Sequence, residues 1–186
     1  PKAVVQLIHG FGEHSRRYLH MIYKLLAADF VVYADDHIGH GKTGVDSGTL
    51  GDPHSKDYHT YLEDEKSLHD IAVKDYPGLP YVVFGHSWGS MLARAYCALY
   101  GEDVAAMMLC GVVCQMKGCL KELHDPDFKA AYEKDPYQPG GAWMAKAFCG
   151  MTDRVPGSTN PNDWIATDPR IVADHAGDPF NSFDVT

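Results

Sequence analysis

The stretch PYVVFGHSWGSMLARAY, residues 80–96, sets Ser87 between Gly85 and Gly89 at the end of an apolar run. A serine hydroxyl is a poor nucleophile at neutral pH. One that attacks a carbonyl must be exposed, lie near a base, and have hydrogen-bond donors waiting for the developing oxyanion. G-x-S-x-G between a strand and a helix meets the first need, because the two glycines allow a tight turn and close packing that lift the hydroxyl above the sheet. The chemistry implied is acyl transfer through a serine ester.

Two places offer oxyanion donors. The turn leaves the N–H of Trp88 at a helix N-terminus, where unpaired donors and the helix dipole favour negative charge. LIHGFGEHS, residues 7–15, offers the other: His9 and Gly10 end a strand, and the N–H of Phe11 is the candidate donor. Gly10, Gly85, His86 and Gly89 are expected to support the two turns.

These groups meet only if their loops lie at the ends of neighbouring strands. AVVQLIHGFG reads as a buried strand over residues 3–8, so close to Pro1 that the chain looks as if it starts inside a domain. RRYLHMIYKLLAADF carries Tyr18, Met21, Ile22, Leu25 and Leu26 at the spacing of a helix face. FVVYADD (30–36) reads as a second strand, YHTYLEDEKSLHDIAVKDYP (58–77) as a helix stopped by Pro77, and YVVFG (81–85) as a third strand. SMLARAYCALYGED reads as a helix closed by Gly101, and VAAMMLCGVV (104–113) as a fourth strand. Strands alternating with helices in this way predict a mostly parallel sheet with flanking helices.

Beyond residue 116 the pattern changes. Residues 1–116 read as the α/β core, and residues 117–186, helical in part and rich in Pro, Gly, Asp and Trp, as a cap without a buried strand. Trp143, Phe148 and Trp164 are expected in the cap's own core or lining an acyl pocket. The acidic run LEDEKSLHD is expected to be the solvated face of its helix.

Taken in order, these motifs resemble the α/β-hydrolases, and within them the monoacylglycerol lipase and lysophospholipase branch of serine aminopeptidase S33-type hydrolases. HGFGEHSRRY resembles that branch's oxyanion loop, DDHIGHGKT its D-x-x-G-H-G loop, GHSWGS its nucleophile elbow, and DWIATDPRIVADHAGDPFNSF the segment closing its cap. The resemblance implies an α/β-hydrolase fold with a helical cap and an incomplete sheet. It also implies an esterase or lipase acting on monoacyl lipids or similar small carboxylic esters through an acyl-enzyme. By position, Ser87 is the nucleophile and the N–H groups of Phe11 and Trp88 are the oxyanion donors. Trp88 departs from the smaller or more flexible residue often found after that serine.

In the branch, the triad Asp and His follow the cap on two further strands, and nothing in this chain resembles those loops. The sequence therefore looks like about two thirds of a hydrolase, with no triad Asp or His of its own and little expected activity in isolation. His86 adjoins the serine on a sharp turn. His9, His37 and His40 resemble structural loop histidines, and His124 and His175 fall in the cap. The other readings are a non-catalytic binding module that retains the scaffold, and an acyltransferase using the same acyl-enzyme.

Composition narrows the remaining classes. Sixteen basic against twenty-five acidic residues give a net charge of -9, which repels a phosphate backbone, so no nucleic-acid partner is expected. The longest apolar runs fall short of the roughly 20 residues that span a bilayer, so no transmembrane segment is expected, and any membrane contact would be peripheral, through the cap. Five cysteines, with no C-x-x-C and two within apolar stretches, suggest free thiols in a reducing, cytoplasmic setting. Gly41-Lys42-Thr43 matches the end of a P-loop, but Asp36 stands where its first glycine should, and GVDSGTLGDP is too turn-rich to predict a helix after Thr43. Asp35, Asp36, His37 and His40 match no metal-ligand spacing, so neither metal nor cofactor is expected. Sheet edges left unpaired predict self-association.

Overall fold

Short β-branched runs separated by amphipathic stretches cannot bury their apolar faces alone, and here they pair into one parallel sheet. The strands are β1 (Val4–Ile8), β2 (Val31–Ala34), β3 (Tyr81–His86) and β4 (Val104–Cys110), in the order β2-β1-β3-β4. Register runs Val4 beside Val31 and Tyr81, Ile8 beside Gly85, and His86 beside Cys110. Between them come α1 (Leu19–Ala27), α2 (Gly41–Ser47), α3 (His59–Asp75) and α4 (Trp88–Tyr100). The computed structural model describes residues 1–55, 57–114, 116–181 and 183–186, and divides them into two units, Pro1–Val113 and Cys114–Thr186.

In the first unit the core lies where α3 and α4 meet the sheet. Val4, Ile8, Tyr81 and Val83 of the strands pack with Leu62 and Ala72 of α3 and with Leu92, Ala93 and Tyr96 of α4. The chain goes from β1 to β2 on one side and returns to place β3 on the other. In open parallel sheets such a reversal opens a crevice at the carboxyl ends of the strands, where ligands bind. The loops after β1 and β3 flank it.

Three expectations need correction. A helix does follow His40: α2 covers Gly41–Ser47, including Thr43. The Asp36 carboxylate accepts the Lys42 N–H at 2.7 Å, giving the first turn a partner that the composition of the segment did not reveal. The fourth strand ends at Cys110 and is largely exposed, with Met107 and Met108 each 42% accessible, because it forms one edge of the described sheet. The acidic run of α3 is not uniformly solvated, since Glu65 and His69 turn inward and are buried.

The second unit contains α5 (Lys117–Leu123), α6 (Pro126–Lys134), α7 (Gly141–Ala147) and α8 (Pro169–Gly177). Asp125 and Asp168 cap α6 and α8 by accepting N–H bonds from Asp127 and Arg170, each followed by proline in the first helical position, where a missing N–H costs nothing. A Cβ on Gly118 would overlap the Ala147 carbonyl oxygen, so this glycine lets α5 approach α7. Trp143 packs edge-on to Phe128 and Phe148 against Trp164, with Trp164 itself 36% exposed. All five cysteines are free, and Cys110, Cys114 and Cys149 are exposed. Within the cap-closing stretch, Ser182 lies outside the described residues. Among the described residues, no helix is long and apolar enough to cross a membrane.

Candidate active site

Ser87 lies between the end of β3 and the start of α4 with φ 52° and ψ −120°, a backbone conformation that a non-glycine residue rarely holds. Two hydrogen bonds hold the turn: Ser87 N–H donates to the Cys110 carbonyl at 3.0 Å, and Ser90 N–H donates to the Ser87 carbonyl at 2.9 Å. Both flanking glycines are needed for space. A Cβ on Gly85 would overlap the Gly89 carbonyl oxygen, and one on Gly89 would overlap the Ile8 carbonyl oxygen.

The loop after β1 comes up beside this turn. A Cβ on Gly10 would lie 3.1 Å from the Cβ of Ser87, so the two loops are in contact. Gly10 N–H donates to Glu13 Oε1 at 2.7 Å. The same oxygen accepts from the Tyr18 hydroxyl at 2.5 Å and lies 3.1 Å from His86 Nδ1, while Arg17 reaches the other oxygen at 3.4 Å. Burial alone would raise the Glu13 carboxyl, but the bonds from His86 and Tyr18 outweigh it, and its pKa is lowered. An ionised Glu13 thus ties the β1 loop to the residue before Ser87.

Trp88 heads α4, and a helix supplies no internal acceptor for the N–H of its first residue. Its ring packs edge-on against Tyr61 at 4.8 Å, His37 at 5.3 Å and Phe11 at 5.9 Å, and stacks on His40 at 5.5 Å. The bulk that sets this position apart is therefore used to join the β1, β2 and β3 loops. Phe11 and Trp88, separated in sequence by β2 and β3, are neighbours.

A second polar layer lies beneath the β1 loop. His37 N–H donates to His9 Nε2 at 3.0 Å, and His9 Nδ1 faces the Gly10 carbonyl at 2.7 Å, so His9 carries its hydrogen on Nδ1 and is neutral. Burial and the neighbouring His37 and His40 hold its pKa well below the usual value. Burial likewise lowers His37 and His40 to about 4. Asp36 turns away from them: its carboxylate accepts from the Ser15 N–H at 2.8 Å, the Ser15 hydroxyl at 2.7 Å and the Lys42 N–H, which leaves its pKa lowered despite burial. A carboxylate therefore occupies the N-terminus of α2, where a P-loop would hold phosphate.

The four residues weighed as a metal cluster thus do not form one site, since Asp36 is committed to Ser15 and Lys42. Asp35 and His37 instead converge with Glu65 of α3, with one donor atom from each lying within 4.8 Å of the others. Burial raises Asp35 to about 6, and burial together with Asp35 raises Glu65 well above its ordinary value. With no cation between them, carboxyls this deeply buried favour the protonated form and share hydrogen with each other and with imidazole. Glu65 escapes a reading by composition because its neighbours Glu63, Asp64 and Lys66 are surface residues. The signal that could have found it is its place on the same face as Leu62 and His69. His124 and His175 belong to the second unit.

A family model described as Serine aminopeptidase, S33 matches residues 1–186. The chain is 33% identical over 180 residues to the monoacylglycerol lipase of Mycolicibacterium smegmatis, covering 97% of this chain and 56% of that protein. Among solved structures it is similar to a highly thermostable carboxyl esterase from Bacillus coagulans in complex with glycerol, at 49% identity and TM-score 0.91 over 100% of this chain and 59% of that one. A lipase in its open form aligns at 43% identity and TM-score 0.92, over 100% of this chain and 61% of that one. The chain thus spans between half and two thirds of these relatives' lengths.

Proposed function

The chain belongs to the Serine aminopeptidase, S33 family and has the α/β-hydrolase fold; from that premise we propose that it carries the nucleophile half of a serine ester hydrolase acting on monoacyl lipids. One observation carries the reading. Ser87 is held at φ 52° on the turn out of β3, with the Gly10 loop in contact with it at the reversal of strand order. Backbone strain of this kind costs of order 1–3 kcal/mol and persists where the surroundings impose it, as they do at reactive turns.

In this reading Ser87 Oγ attacks the ester carbonyl carbon while a base takes its proton. The Phe11 and Trp88 N–H groups receive the oxyanion, the alcohol leaves with that proton, and water then hydrolyses the acyl-serine. His86 is directed to Glu13, and His9 is committed to Gly10 and His37, so the role of base falls to neither. We assign the base and its orienting acid to residues of the whole protein outside these 186. Residues 117–186 are given the cap's role of recognising the acyl chain and of any peripheral membrane contact. Relatives named for monoacylglycerol lipase and carboxyl esterase activity support the substrate class. The test is fatty-acid release from monoacylglycerols by the protein expressed from its complete reading frame. Turnover abolished by Ser87→Ala supports the reading, and turnover that survives the substitution, or none in the wild type, contradicts it.

A further inference from the structure

Glu65 is fully buried on α3, and buried carboxyls are rare unless something holds them. The groups around it come from four elements. Gln6 of β1 donates to Glu65 Oε2 and also to its backbone carbonyl, and Gln6 is itself held by the Tyr81 hydroxyl of β3 at 2.6 Å. His37 Nδ1 from the β2 loop lies 3.3 Å from Glu65 Oε1, with Asp35 beside it. Asp64 on its own helix and Asp35 both act to keep a proton on it.

The tautomers decide where that proton sits. His37 Nε2 lies 3.3 Å from the His9 carbonyl oxygen, an acceptor, so Nε2 carries the ring hydrogen. Neutral His37 then turns the lone pair of Nδ1 toward Glu65 Oε1. An ionised carboxylate there would meet a lone pair, whereas a carboxylic acid can share its hydrogen. We propose that Glu65 is a positioning residue for the β1 loop: as an uncharged acid it supports His37, and His37 holds His9 directly ahead of Gly10 and Phe11. The inference rests on the reading of Phe11 as an oxyanion donor. Glu65 touches no substrate, and it acts by fixing where the Phe11 N–H points.

Glu65→Gln tests this closely, because the amide can donate to His37 and accept from Gln6 but cannot ionise. Glu65→Val removes both bonds. The measurement is kcat and KM of the whole protein on a short p-nitrophenyl ester at pH 7, with Ser87→Ala in parallel. Glu65→Gln is expected to keep kcat within about 3-fold of wild type at pH 7, since it preserves both hydrogen bonds. Glu65→Val is expected to lose roughly 10- to 100-fold in kcat with KM little changed, the effect of misplacing a donor rather than of losing binding. Should Glu65→Val fail to fold, Glu65→Met, which fills the same space without either bond, takes its place. Glu65→Gln as impaired as the apolar variant, or an apolar variant with the kcat of wild type, overturns the proposal while the hydrolase reading stands. Turnover that survives Ser87→Ala overturns the hydrolase reading, and the role of Glu65 with it.

Discussion

Gly89, in the first turn of α4, lies so close to the Ile8 carbonyl at the end of β1 that a Cβ there would overlap the oxygen. The obstacle is backbone, which cannot rotate away as a side chain can. Gly89→Ala is therefore expected to push α4 off the sheet and cost about 2–4 kcal/mol, at the upper end of overpacking effects. Gly177, near the end of α8, has nothing within 4 Å of its Cβ position, so Gly177→Ala is the control, with a change under about 1 kcal/mol. Urea unfolding of the two variants checks this, and equal midpoints would contradict it.

Ser87 combines a strained backbone with a proposed chemical role, and the two separate on substitution. Ser87→Gly relaxes φ 52° and is expected to stabilise the fold by about 1 kcal/mol while ester turnover is lost. A thermal melt beside an activity assay reads both. A Ser87→Gly protein that melts lower than wild type would show that the turn carries no strain.

Asp36 ties three segments together, since Ser15 opens the turn before α1 and Lys42 lies in the first turn of α2. Asp36→Ala removes all three acceptor contacts and is expected to cost about 2–3 kcal/mol, more than a single helix cap. Hydrogen exchange locates the effect: faster exchange at Ser15 and Lys42 is expected, and unchanged protection there would contradict the clamp.

Acid should destabilise the first unit in a defined window. His9, His37 and His40 are buried and neutral, with pKa values below their unfolded value of 6.5 and about 4 for the latter two. Unfolding therefore takes up protons on them between about pH 6.5 and 4, so stability is present above that window and falls as pH drops through it, by up to about 1.4 kcal/mol per pH unit for each histidine. Asp35, raised to about 6, and Glu65, also raised, work in the opposite direction and offset part of the slope. Burial also lowers His69 and raises Asp64, so four histidines against three carboxyls leave a net loss toward acid. Denaturation at pH 4.5, 5.5 and 6.5 measures it, and stability that rises toward pH 4.5 would contradict the assignment.

Apart from α2 and the exact end of β4, the strand and helix order of the first unit is legible in the sequence, because its strands are short apolar runs and α1, α3 and α4 carry apolar residues at helical spacing. The elbow around Ser87 is legible for a related reason: Gly85 and Gly89 mark close backbone approach, and their surroundings name the turn. What escaped is side-chain pairing between elements. Nothing local shows that Asp36 will seat the N-terminus of α2, 6 residues along the chain, or that Gln6 will draw Glu65 inward from 59 residues away. Charge counted along α3 makes Glu65 a surface residue, and only the facing strand makes it a buried one.

The central claim is that Ser87 is the nucleophile, and active-site labelling tests it most directly. The whole protein is treated with a fluorophosphonate, digested, and the adduct mapped by mass spectrometry. One phosphonyl group on the peptide containing Ser87, absent in Ser87→Ala, is the expected result. Labelling at another residue, labelling unchanged by Ser87→Ala, or none at all in protein that hydrolyses esters would contradict it.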